Sequence, residues 1–202
     1  MVASINFIQE LRAQLYNLNL LHQKHREIYQ NLLFNFIKEN EGEKLQVYRD
    51  SKKNKTIGIG FNMDSPTARK VWQQIFNGFL PFDEVYHGRS ITINQSRKIY
   101  TYVIANNRAE LQYIYYNYWH RLKANELVMI EDLYWNGSSK LVGLRTNFYK
   151  YMVNFAITSD KKYLEKALIE VKLYSNRENS KGIQNRRNAQ WEMGLPIRAF
   201  KS

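Results

Sequence analysis

The sequence predicts an α+β fold, mostly helical, with one small antiparallel sheet in its first third. Three observations point there. Residues that interrupt helices are scarce, with three prolines and nine glycines in 202 residues. Over most of the chain, apolar residues recur three and four apart, the spacing of one helix face. Only the stretch 44–64 abandons that period for alternation, which is the period of a strand.

The elements follow in order. From Ile5 to Phe36 there is neither glycine nor proline. Ile8, Leu11, Leu15, Leu18, Leu32 and Phe36 share an apolar seam with Tyr29, predicting one long helix or two in series. Gly42 stops it, as glycine does just past a helix end. Leu45-Gln46-Val47-Tyr48 then alternates, Ser51 to Lys55 is a polar loop, and Thr56 to Phe61 reads as the second strand of a hairpin. Ser65 followed by Pro66 is an expected N-cap, opening a helix from Thr67 to Phe76. The stretch 77–90, with two glycines and Pro81, reads as a loop or lobe boundary. Thr92 caps a long amphipathic segment toward Tyr118, with a break expected near Asn106-Asn107. Further helices are expected over 124–134, 146–155, 160–173 and 182–193, and no internal repeat is visible.

Composition narrows the function. Thirty Lys and Arg against 18 Asp and Glu give a formal charge of +12, and the sequence pI is near 9.7. An anionic partner is expected: nucleic acid, a membrane surface or another polyanion. With 44% hydrophobic and 14% aromatic residues, the chain is a packed globule and not a disordered polycation. The absence of cysteine excludes disulfides, a thiol nucleophile and thiolate metal sites. His22, His25, His87 and His120 form no zinc-type signature, so no metal and no cofactor is expected. No apolar run is long enough to span a bilayer, and the first six residues lack the basic-then-apolar layout of a signal peptide. Synthesis in the cytoplasm is therefore expected.

Chemistry concentrates between Glu41 and Phe61. Glu41 stands at a helix C-terminus, where the negative end of the helix dipole disfavours an ionised carboxylate and suits the group to donate a proton. Asp50 ends the first strand in a loop flanked by Lys52, Lys53 and Lys55. Two carboxyl groups in unlike surroundings, with the Thr56 hydroxyl across the hairpin, suit glycoside hydrolysis. The plain alternative is a solvated helix end beside an ordinary hairpin.

The spacing of Glu41, Asp50 and Thr56, followed at once by Ile57-Gly58-Ile59-Gly60, closely resembles the catalytic motif of the T-even phage lysozyme family. Gly42 and Tyr48 also stand where that family usually has glycine and tyrosine. Weaker likenesses follow at Ile91-Thr92, Tyr134-Trp135-Asn136-Gly137, Thr146-Asn147-Phe148 and Ile183 to Arg187. Together they cover roughly 28–193. The resemblance implies a two-lobed lysozyme-like fold: an N-terminal helical extension over 1–29, then a catalytic domain over 30–202. Its small β lobe would cover about 42–91 and its helical lobe about 92–202. It also implies an inverting muramidase that hydrolyses the β-1,4 bond between N-acetylmuramic acid and N-acetylglucosamine in peptidoglycan. Glu41 would be the general acid, Asp50 the base or electrostatic partner, and Thr56 would hold the attacking water. Tyr48, Asn136 and Arg186 would bind substrate, with Arg186 beside Glu41. Such an enzyme would act on the periplasmic or external cell wall after release or delivery. One departure is Phe61, where the family often has histidine.

Two other readings stay open: a lytic transglycosylase, and a basic wall- or nucleic-acid-binding module without turnover. Arg177, Lys181, Arg186, Arg187 and Arg198 are the candidate basic patch for the latter, although the expectation is that nucleic acid is not the partner. The rings of Tyr113 to Trp119 and Phe148 to Tyr151 are expected to be mainly core. The extension over 1–29 reads as a coiled coil, a membrane-addressing helix, or a helix packed on the chain's own core.

Overall fold

The computed structural model describes residues 3–137, 139–176 and 181–195. They form an α+β fold that is mostly helical, with one three-stranded antiparallel sheet in the order β1-β2-β3. The chain divides into two compact units. A small unit spans Glu41–Asn106, and a helical unit combines Met1–Asn40 with Asn107–Ser202.

In the helical unit, the apolar N-terminal seam becomes two helices, α1 (Ile5–Tyr16) and α2 (Gln23–Glu41). The turn between them is tied by its own polar groups. Arg26 Nη1 donates to the carbonyls of Leu20 (3.2 Å) and Leu21 (2.7 Å), and the Asn19 amide donates to His25 Nδ1 (2.9 Å). Ile8, Leu11 and Leu15 are buried, and α1 lies against α6 (Ala124–Gly137) and α10 (Lys181–Gly194). Burying each such side chain contributes about 1.5–3 kcal/mol. Arg12 Nη2 adds a bond to the Leu195 carbonyl at 2.7 Å. The extension is thus part of this unit's core.

The small unit grows from Gly42. With φ of +74°, it adopts a backbone conformation that side-chain-bearing residues rarely take, and it ends α2. β1 (Lys44–Arg49) pairs with β2 (Lys55–Gly58), with Tyr48 opposite Thr56 and an irregularity between Lys44 and Tyr48. The expected second strand is divided in two. Gly58, at φ +63°, turns the chain, and β3 (Phe61–Asn62) pairs back onto β2. A Cβ at Gly58 would also lie only 3.0 Å from Ser96 Oγ. Helix α3 (Ala68–Phe76) begins later than Ser65-Pro66 suggests, with Ser65 instead accepting the Ala68 amide through its carbonyl at 2.9 Å. The expected loop contains a short helix, α4 (Phe82–Tyr86), started by Pro81. Trp72 lies at the centre of the apolar core, its Nε1 donating to the Leu80 carbonyl at 2.7 Å.

Thr92 and Gln95 cap α5 (Ile93–Tyr115) reciprocally, at 3.2 and 2.8 Å. The break expected at Asn106-Asn107 does not occur; α5 is continuous where the chain passes between units. Its first turns belong to the small unit, whose core Ile99, Tyr102 and Val103 help to close. A 3-10 helix (Tyr116–Arg121), α7 (Ser139–Val142), α8 (Asn147–Thr158) and α9 (Lys161–Asn176) complete the helical unit with α6 and α10. The aromatic run divides: Tyr115 and Phe148 are core, whereas Tyr113 and Tyr116 are 80% and 74% exposed. Helical period turns adjacent rings to different faces.

Buried α6 carries acids. Burial pushes the Glu126 carboxyl up to about 7, although the Lys123 amide donates to it at 2.8 Å and favours the charge. Between the ordinary value of 4.5 and about 7, the folded protein holds a proton that the unfolded chain has released. Stability is therefore expected to fall as pH rises through that window. Urea unfolding at pH 4 and pH 8 checks this. Glu126→Gln is expected to match the native protein at pH 4 and exceed it at pH 8, by on the order of 3 kcal/mol. An equal difference at both pH values would refute it.

Candidate active site

Glu41, Tyr48, Asp50 and Thr56 all belong to the small unit. Glu41 is the last residue of α2 and is half-buried, so its carboxyl group is carried at a helix end. Asp50 follows β1, where its side chain closes the hairpin loop. Oδ1 accepts the amides of Lys52 (2.9 Å) and Asn54 (2.8 Å), and Oδ2 accepts Asn54 Nδ2 (3.1 Å). This loop-closing role also orients the carboxylate, and Oδ2 keeps acceptor capacity beyond Asn54. Arg49 Nη1 donates to the Lys53 carbonyl (2.7 Å), which steadies Lys53 at φ +66°.

Thr56 is buried on β2, and its hydroxyl donates to the Asn54 carbonyl at 3.3 Å. With its proton directed there, the oxygen can accept from water. Tyr48, opposite Thr56 in the ladder, links the two carboxylates electrostatically. Burial first, then the negative charges of Glu41 and Asp50, holds its hydroxyl above the ordinary phenol value. Lys44 Nζ lies 4.1 Å from the Tyr48 ring centroid, a cation on the ring face. Phe61, the departure from the resemblance, packs near Trp72 with ring centroids 6.1 Å apart.

Asn136 and Arg186 belong to the helical unit. The segment Tyr134–Gly137, one of the weaker likenesses, is the last turn of α6. Arg186 is buried on α10 and pairs with the fully buried Asp132 through Nη2 (2.6 Å) and Nε (3.3 Å). Gln190 Nε2 donates to the same carboxylate at 2.6 Å. Arg187 donates to Gln190 Oε1 (2.7 Å) and Asn136 Oδ1 (2.8 Å). Asn136 and Arg186 thus lie in one polar network joining α6 to α10. Arg186 and Arg187 are only 5% and 2% exposed, so neither contributes to a basic surface patch. Arg177, Arg198 and the Lys181 side chain, also named for that patch, lie outside the described residues.

Sequence reading missed Asp132 and its bond from Gln190, because Arg186 and Gln190 lie 54 and 58 positions from Asp132 and leave no local signal. It likewise missed Glu131, whose buried carboxylate meets Arg108 and the Tyr29 hydroxyl. His22 and His25 form an edge-on ring pair with centroids 5.6 Å apart. Among the described residues, no three His, Asp or Glu side chains gather as a metal site requires, and no helix is long and apolar enough to cross a membrane. No family model and no curated protein sequence matches the chain.

Proposed function

We propose that this protein is a peptidoglycan muramidase hydrolysing the β-1,4 bond between N-acetylmuramic acid and N-acetylglucosamine. The observation that carries the reading is the grouping of a helix-end carboxyl, a loop-fixed carboxylate and a hydroxyl in one compact unit, with Tyr48 in the field of both acids. Glu41 donates its proton to the leaving oxygen as the bond to the anomeric carbon breaks. Water held by Thr56 attacks that carbon from the opposite face and releases its proton to Asp50. The anomeric carbon inverts. Asn136 and Arg186 are assigned to substrate on the resemblance alone, and both are also engaged within the helical unit. The charge of +12 suits an anionic wall, increasing encounter rate in a salt-dependent way.

Mass spectrometry of purified peptidoglycan after digestion tests the proposal. Hydrolysis is expected to yield fragments ending in a reducing, hydrated muramic acid. Anhydromuramic ends would overturn hydrolysis in favour of lytic transglycosylation. An undigested wall would overturn both.

A further inference from the structure

We infer that the helical unit carries a ligand site for an amphipathic anion, a single negatively charged head on an apolar tail. The site is a cavity of about 590 Å³ built by the turn between α1 and α2 against α5, the 3-10 helix and the start of α6. That volume lies within the roughly 300–1,000 Å³ usual for small-molecule sites. None of its lining residues belongs to the candidate active site.

Its chemistry has two parts. Leu18, Leu20, Leu122, Leu127 and Trp119 form an apolar wall that has nothing to offer a bare inorganic ion. The same cavity is lined by Arg26, Arg108, Arg121 and Lys123, against Glu131 as the one acid among its lining residues. Glu131 does not cancel this excess, because its carboxylate is already matched by Arg108. Arg108 Nε and Nη2 donate to it at 3.0 Å each, and the Tyr29 hydroxyl at 2.7 Å. Arg26 shapes the wall by holding the Leu20 and Leu21 carbonyls. Arg121 and Lys123, both exposed, supply the charge that selects a negative head. A neutral apolar ligand would gain nothing from those cations, and a purely polar anion would leave the leucines wet. The ligand that satisfies both walls carries charge and tail together.

Decyl phosphate, decanol and inorganic phosphate, each titrated as monomers into the full chain by calorimetry, test the site. Decyl phosphate is expected to bind one per chain, and the other two at least tenfold more weakly. The Arg121→Gln/Lys123→Gln double variant is expected to weaken decyl phosphate at least tenfold with an unchanged melting temperature. Leu21→Glu, on a lip residue that is 81% exposed, is expected to weaken it as well. Decanol binding as well as decyl phosphate, or a double variant binding like the native protein, would overturn the inference. Phosphatidylglycerol vesicles distinguish the source. Vesicle binding displaced by decyl phosphate supports the site with a lipid occupant. Vesicles ignored while decyl phosphate binds supports it with a soluble one.

Discussion

Glu41→Gln is expected to lower peptidoglycan turnover by about 10²–10⁴-fold, the usual contribution of a positioned general acid. The substitution preserves shape and removes only the transferable proton, so the melting temperature should hold within the small range of ordinary surface changes. Asp50→Asn is the necessary companion. Its side-chain oxygen can still accept the Lys52 and Asn54 amides, so the hairpin loop persists while the proton acceptor is lost. Clearing of cell walls, followed by turbidity alongside a thermal melt, checks both variants. Activity retained by Glu41→Gln would refute the muramidase proposal. Activity lost in Glu41→Gln but kept in Asp50→Asn would point to chemistry with a single acid and leave Asp50 only its loop-closing role.

The largest expected loss of stability follows Asp132→Ala. This carboxylate is fully buried and accepts Arg186 twice and Gln190 once. Its removal takes the counterion from a buried guanidinium, a change that costs about 3–5 kcal/mol. Chemical denaturation is expected to report a loss of that size, with far-ultraviolet helicity retained below the transition. Replacing both partners, as in Asp132→Leu/Arg186→Met, is expected to recover more than half, because a well-packed apolar pair of similar volume avoids the unmatched charge. Recovery is incomplete because Gln190 loses its acceptor. A single variant as stable as the native protein would show that the network contributes little.

Local rules carried far into the fold. The mostly helical α+β class, the stop at Gly42, the hairpin between Leu45 and Thr56, and the capping of α5 by Thr92 each depend on residues a few positions apart. Period, cap and turn chemistry therefore reveal them. Glu41, Asp50 and Thr56 lie within sixteen positions of one another, and all three fall in the small unit. Errors arose where one local rule competed with another. At Gly58, left-handed backbone overruled strand continuity, and at Asn106-Asn107 two helix-poor residues did not interrupt a packed helix.

The contacts that required the closed chain are long-range. Among them are the burial of the α1 seam within its own unit, the meeting of Arg186 with Asp132, and the place of the turn before α2 in the wall of a cationic cavity. Local sequence was enough for most of the helices and for the hairpin that carries Asp50 and Thr56, because backbone conformation responds mainly to near neighbours. Partners separated by fifty positions or more are chosen by packing and burial, which exist only once the chain has closed on itself.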